Sequence, residues 1–447
     1  MKRSAFLICL LAPLAAWSQT PAKNRMVIVV SLDGFPASAL DDPQVPVPTI
    51  RRLAKEGAFA PRMSGVYPTV TWPAHTTMIT GVPPARHGVL YNGMLFRQGR
   101  DTPPKVEQWR PQPEMVKAKT VYELAHRAGL TTAEVDWVAV FQSPFFTWSF
   151  SEIPSPDGKI EKEMIAAGLV SRQDVADFRR GVITWRDHLW TEAAAHILRT
   201  HRPNLMLYHP LNLDSTNHRY GPGSLASANA MEYADKQVAR LWEAVKEAGL
   251  LNRTTFLILA DHGFRVVKKQ INANALLKAN GLISGSGAAT RCDVWAIPEG
   301  GTAMVYVTDK ARRTELIPKV KKLLEGVEGV EKVYERADFP VLGLPDPEKY
   351  DQMADLLPAA RPGYAFAGGL DGASVADVPA GTTPGSHGYL ASDAAMDTFL
   401  IAWGQGIRSG ARLGEIRNVD IAPTIARLLG LKMDNVDGRP LTAALAP

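Results

Sequence analysis

Residues 26–35 read MVIVVSLDGF, an apolar, β-branched run that stops at Asp33-Gly34. A strand buried on both faces needs no polar alternation, so this run predicts a parallel strand delivering a carboxylate at its carboxyl end. Two further runs have the same form: NLMLYHPLNLD, which ends at Asp214, and TTFLILADHG, which ends at Asp261-His262-Gly263. DTFLIAWG, closing at Gly404, adds another strand. Between them lie amphipathic helical patterns such as LASANAMEYADKQVARLWEAVKEAGL, from Leu225 to Leu250. Strands alternating with helices predict an α/β fold, a mostly parallel sheet with helices on both faces.

The segment after Asp261-His262 breaks this rhythm. GTAMVYVTD reads as a strand, ARRTELIPKVKKLLEGVEG as a helix and VEKVYER as a strand, followed by the Pro- and Gly-rich FPVLGLPDPEKYD. Residues 265–365 are therefore expected to be a small α/β insertion, with the core formed by 24–264 and 366–447. GTTPGSHGYLASD and the helix VDIAPTIARLLGL return the chain to the main sheet.

The first residues, MKRSAFLICLLAPLAAWSQT, place Lys2 and Arg3 before a short apolar run and small residues at Ala16 and Ser18. This is the pattern of a cleavable export signal over 1–18. The run is well short of the ~20 apolar residues of a membrane span, and no later segment reaches that length. Export to the periplasm, or secretion, is expected. Cys9 falls in the signal, so Cys292 alone remains afterwards and no intramolecular disulfide can form. Hydrophobic residues make up 46% of the 447 and charged residues 21%, ordinary for a folded chain. Of the formal charge of +5, two units belong to Lys2 and Arg3, leaving +3 in scattered positions. That is too little to predict a nucleic-acid polymer as partner.

In open α/β sheets ligands collect at the carboxyl ends of strands. The polar residues expected there are Asp33, Asp214 with His218 four positions on, Asp261-His262, and His387 from GSHGY. Each alone has an ordinary explanation as a turn, cap or solvated pair. Together, three aspartates and three histidines form a mixed oxygen and nitrogen set that suits two zinc-like divalent ions better than magnesium or calcium.

GVYPTVTWPAHTTMITG, residues 65–81, predicts a helix with Pro73 in its first turn and Gly81 just past its end. A threonine at such a start ordinarily caps the helix. Beside metals it can instead be a nucleophile, because coordination to a divalent cation favours the alkoxide.

These residues resemble the alkaline phosphatase superfamily, and most closely its nucleotide pyrophosphatase/phosphodiesterase family. The run PTVTWPAH, then TG and PARHG, is similar to the family's pattern around its nucleophile. The resemblance implies an alkaline-phosphatase-like fold and places the nucleophile on Thr71, directly before the aromatic, rather than on Thr69. It implies one metal at Asp214, His218 and His387, and a second at Asp33, Thr71, Asp261 and His262. It also implies that Asn92 orients a phosphate oxygen and that Trp72 flanks the substrate. Ala74 and Asn217 depart from the family's usual asparagine and glycine, although no ligand is lost. His75 and His87 read as structural residues around the nucleophile helix.

The resulting expectation is a binuclear metal-dependent phosphodiesterase or nucleotide pyrophosphatase, acting on a small phosphate ester or nucleotide through a phospho-threonine intermediate. VAVFQSPFFTWSF, rich in aromatics and free of basic residues, reads either as core or as an apolar slot for the second substituent of a diester. A phosphomonoesterase on the same scaffold is the nearest alternative, and a secreted binding protein without activity a more distant one.

Overall fold

A computed structural model describes residues 22–447; the segment read as an export signal, 1–18, lies outside the described residues. Eight strands form the central sheet: β1 (Met26–Ser31), β2 (Ala58–Ser64), β3 (Thr132–Val135), β4 (Trp148–Phe150), β5 (Leu205–Tyr208), β6 (Thr254–Leu259), β7 (Thr398–Gly404) and β8 (Ile416–Arg417). Their order is β8-β2-β7-β6-β1-β5-β3-β4. Only β7 runs against its neighbours, β2 and β6; every other pairing is parallel.

The unbroken apolar character of β1 follows from its central position. Met26, Ile28 and Val30 face a core built with helices Pro48–Glu56, Ile183–Thr200 and Leu225–Glu247. Val27 and Val29 face the other core, against helices Thr71–Thr80, Val121–Arg127 and Ile421–Leu428. All six β1 residues are buried, so alternate side chains serve opposite faces and neither face tolerates a polar group.

A separate four-stranded antiparallel sheet is made by Val294–Pro298, Ala303–Val307, Leu356–Ala360 and Val330–Glu335, in that spatial order. Helix Arg313–Glu325 buries Leu316, Val320 and Leu324 against it, and the free thiol of Cys292 is buried in the same cluster. This sheet reaches the main one through polar contacts. Tyr67 Oη donates to Thr302 Oγ1 at 2.7 Å, and the Gly301 amide donates to the His387 carbonyl at 2.7 Å.

One element differs from its sequence reading. The strand read through to Asp214 stops at Tyr208, and helix Asn212–Tyr220 begins after His209, Pro210 and Leu211. Proline cannot continue the ladder, and the new helix is started from elsewhere in the chain. The buried Asp187 carboxylate accepts the amides of Leu211 and Asn212, both at 3.0 Å, acting as a cap supplied from outside.

Candidate active site

The carboxyl ends of β3, β1, β5 and β6 lie side by side, and Asp136, Asp33, His209 and Asp261 follow them directly or within two residues. Helix Thr71–Thr80 points its amino end at this row. Its N-cap is Val70, and no side chain caps it. Thr71, the first helical residue, therefore does not spend its hydroxyl on capping; Oγ1 lies 3.4 Å from His262 Nε2. Three neighbouring hydroxyls are otherwise engaged, while Thr76 Oγ1 is buried without a partner. Thr69 donates to the Tyr389 carbonyl at 2.9 Å, Thr77 to Pro73 at 2.9 Å and Thr80 to Thr76 at 2.6 Å.

His262 Nε2 also lies 3.3 Å from Asp33 Oδ1 and 3.3 Å from Asp261 Oδ2. Both oxygens are buried without a hydrogen-bond partner. Such orphans are costly unless a cation satisfies them. Ligands of a tetrahedral zinc ion, at about 2.0–2.1 Å from the metal, stand roughly 3.3 Å apart. The three distances around His262 match that edge, so Asp33, Thr71, Asp261 and His262 fit a metal. Burial, then the negative charges of Asp261 and Asp214, hold the Asp33 carboxyl well above the usual carboxylate range, as expected for anions crowded without a counter-charge.

A second group adjoins the first. Asp214 Oδ1 lies 3.4 Å from His218 Nε2 and 3.7 Å from His387 Nε2. One turn of helix separates Asp214 from His218 and sets both on one face. The His262 and His387 rings stack at 3.7 Å with an interplanar angle of 14°, joining the two groups. His218 is the most accessible member, its side chain 43% exposed.

Backbone carbonyls set the tautomers. Nδ1 of His387 donates to Thr69 at 2.9 Å, that of His218 to Gly385 at 3.2 Å and that of His262 to Gly263 at 3.2 Å. In its neutral form each ring thus presents an unprotonated Nε2 to the cluster, the form a metal requires, although, against burial, the Asp214 carboxylate beside His218 raises the pKa of that ring. Burial pushes His262 down to about 4, and burial with His262 and His218 alongside pushes His387 down to about 3. Both rings are neutral at physiological pH.

His209 escaped the sequence reading. Its Nδ1 donates to the Asp136 carbonyl at 3.0 Å and its Nε2 meets Asp33 Oδ2 at 3.0 Å. The signal was present as the residue directly after the true end of β5, but extending that strand to Asp214 hid it. His75 packs on His209 with ring centroids 4.4 Å apart and donates through Nδ1 to the Thr71 carbonyl at 2.8 Å. His87 bonds Thr77 Oγ1 at 2.9 Å within the helix surroundings.

Asn92 Oδ1 accepts the Trp72 amide at 2.9 Å, which orients the side chain and leaves Nδ2 to donate elsewhere. Asn92 borders an open cleft of about 750 Å³ lined also by Tyr91, Val106, Glu107, Gln108, Trp109 and Arg110. Trp72 is 7% exposed and packs among Val89, Met115, Val116, Val138 and Ala139. The slot reading of three aromatics does not hold. Phe145 and Phe146 pack on Tyr122 in the core, and Trp148 stacks on His201. From the same segment Phe141 stays exposed and meets Trp109 edge-on at 6.0 Å.

The sequence profile of the type I phosphodiesterase / nucleotide pyrophosphatase family matches residues 27–390. The chain belongs to that family. Among relatives, ectonucleotide pyrophosphatase/phosphodiesterase family member 7 of Mus musculus is 22% identical over 98% of this chain and 92% of its own length. Family member 3 of Bos taurus is 26% identical over 53% of this chain, which spans only 24% of that protein. Human ectonucleotide pyrophosphatase / phosphodiesterase 5 superposes with a TM-score of 0.71 at 19% identity, covering 95% of this chain and all of that structure. The murine counterpart, an inactive threonine-to-alanine form in complex with AMP, superposes with a TM-score of 0.69 at 18% identity. The central sheet and flanking helices are thus the family's fold.

Proposed function

We propose that this family member is a two-metal phosphodiesterase and nucleotide pyrophosphatase in which Thr71 is the nucleophile and a phospho-threonine is the intermediate. The observation that carries the reading is the convergence of Thr71 Oγ1, Asp33 Oδ1 and Asp261 Oδ2 on His262 Nε2 at 3.3–3.4 Å. Asp33, Thr71, Asp261 and His262 would hold one zinc-type ion and Asp214, His218 and His387 the other, supplying Lewis-acid charge for the phosphoryl oxygens and lowering the pKa of the bound hydroxyl. Thr71 attacks phosphorus in line, its Oγ1–P bond forming as the P–O bond to the leaving group breaks on the opposite side. That group departs as the alcohol or phosphate, taking up a proton from solvent. The positive end of its helix faces the phosphoryl group, and Asn92 Nδ2 donates to a non-bridging oxygen. Water then cleaves the phospho-threonine on the opposite face, with overall retention at phosphorus.

The cleft beside Asn92 supports a diester over a monoester. Arg110 is the one basic residue among its lining, and it is paired with Glu107 and Glu114. A second anionic charge on the substrate would meet no free cation there. Trp72 borders the leaving-group side, Trp109 and Phe141 offer apolar surface, and the AMP bound to the murine relative makes a nucleotide the first class to try. Residues 24–264 and 366–447 are taken as the catalytic core and 265–365 as the insertion. Among the described residues no helix is long and apolar enough to cross a membrane, and the mature chain is placed outside the cytoplasm after removal of 1–18.

The test compares kcat/KM for a nitrophenyl nucleoside monophosphate diester with that for nitrophenyl phosphate, before and after chelation and zinc return. Diester preference, lost on chelation and restored by zinc, is expected. A large preference for the monoester would make the protein a phosphomonoesterase, and no turnover of either would favour a binding role.

A further inference from the structure

A second cluster of metal-ligating side chains lies at the other end of the sheet. Glu163 stands on helix Lys159–Ala166, His196 on helix Ile183–Thr200, and His201 closes that second helix. The amino end of helix Ile183–Thr200 supports the site through Asp187, which holds the Leu211 and Asn212 amides. At a rise of about 1.5 Å per residue, His201 lies roughly 20 Å further along.

Both imidazoles aim at one atom. His196 Nε2 lies 3.2 Å and His201 Nε2 2.6 Å from Glu163 Oε2. Both contacts are within hydrogen-bond distance, and one carboxylate oxygen has the lone pairs to accept two rings. Here they converge on one, and the three donor atoms lie within 4.8 Å of one another. Trp148 stacks on the His201 ring at 4.7 Å and 23°, fixing its plane while leaving its edge free. Side-chain exposures of 11%, 30% and 16% for His196, Glu163 and His201 give an ion access and leave room for water.

We propose that Glu163, His196 and His201 bind a zinc ion, separate from the catalytic centre, that ties helix Lys159–Ala166 to the end of helix Ile183–Thr200. Two imidazoles and one carboxylate are a zinc-type donor set, and the fourth position falls to water. The 3.2 Å separation already matches a tetrahedral edge; the 2.6 Å one opens by a small side-chain rotation. The ion is structural, because nothing connects it to the phosphoryl site except the length of a rigid helix.

The experiment counts zinc per chain by plasma mass spectrometry, after equilibration of the purified protein in buffered zinc and desalting. His196→Asn/His201→Asn is expected to lose one ion per chain with kcat/KM unchanged. Glu163→Gln keeps an oxygen acceptor for both rings but removes the anionic ligand, and is expected to lose the same ion. Retained turnover shows that the variants fold. Because the readout is a difference between proteins, it stands whether the catalytic centre carries two ions or none. Equal zinc content in the wild type and both variants overturns the proposal.

Discussion

His209 Nε2 lies 3.0 Å from Asp33 Oδ2, with both side chains sealed from solvent. The other oxygen of Asp33 faces His262, so His209 fixes the carboxylate in the orientation that a metal needs. Removing such a supporting partner typically costs 10–100-fold in metal affinity. His209→Ala is expected to weaken zinc binding by about that factor, as read by competition with a chromogenic chelator. Unchanged affinity would reduce His209 to a packing residue.

Thr71→Ala separates nucleophile from cap. Because Val70 is the N-cap and no side chain caps the helix, the substitution should leave the melting temperature unchanged. Turnover of the diester should fall by ~10³-fold or more, the scale of losing a nucleophile. A lowered melting temperature with activity retained would restore the capping role.

Gly388 sits next to His387 with φ of 82°, and a Cβ there would fall 1.8 Å from the Glu299 carbonyl oxygen. Its amide donates to the Thr69 carbonyl at 3.0 Å, the same oxygen that orients His387. Gly388→Ala should therefore displace His387 and lower activity as well as stability. Gly410→Ala is the control, with φ of 67° and nothing within 4 Å. It carries only the left-handed backbone cost, of order 1–3 kcal/mol. Urea denaturation of both should show the larger loss for Gly388→Ala, and an equal loss would mean that the loop yields freely.

Glu299 is buried with both carboxyl oxygens unpartnered, and burial holds its pKa well above the usual range. An acid whose folded pKa lies above its unfolded value of about 4.3 contributes full stability below that value and loses it as pH rises towards the folded pKa. Glu299→Gln removes this loss. Its melting temperature should exceed that of the wild type by a margin that widens from mildly acidic to mildly alkaline pH. A margin independent of pH would show that Glu299 has a counter-charge in solution.

The strands carrying Asp33 and Asp261 were legible because burial on both faces leaves an uninterrupted apolar run, and because the run stops where the chain must turn. The helix of Thr71 was legible from Pro73 and Gly81. Asp214 lies beside His218 and His387 but on a helix rather than a strand end, since the cap that starts that helix comes from Asp187, on another helix. Reading the strand through to Asp214 concealed His209. For Phe145, Phe146 and Trp148 the sequence left core and slot both open, because composition cannot tell an aromatic that covers a core from one that lines a cleft.

Read alone, the sequence determined which residue types end the buried strands, hence the α/β class and the set Asp33, Asp214, His218, Asp261, His262 and His387. Those choices are local: period, turn chemistry and the absence of polar residues write them into short windows. Tertiary structure alone decided that Thr71 points its hydroxyl at His262 rather than back at its own helix. It also decided which imidazole nitrogen faces the carboxylates and that His209 stands behind Asp33. Thr71 and His262, and Asp33 and His209, are more than a hundred residues apart in the chain, and only the packing of helix against sheet brings them together.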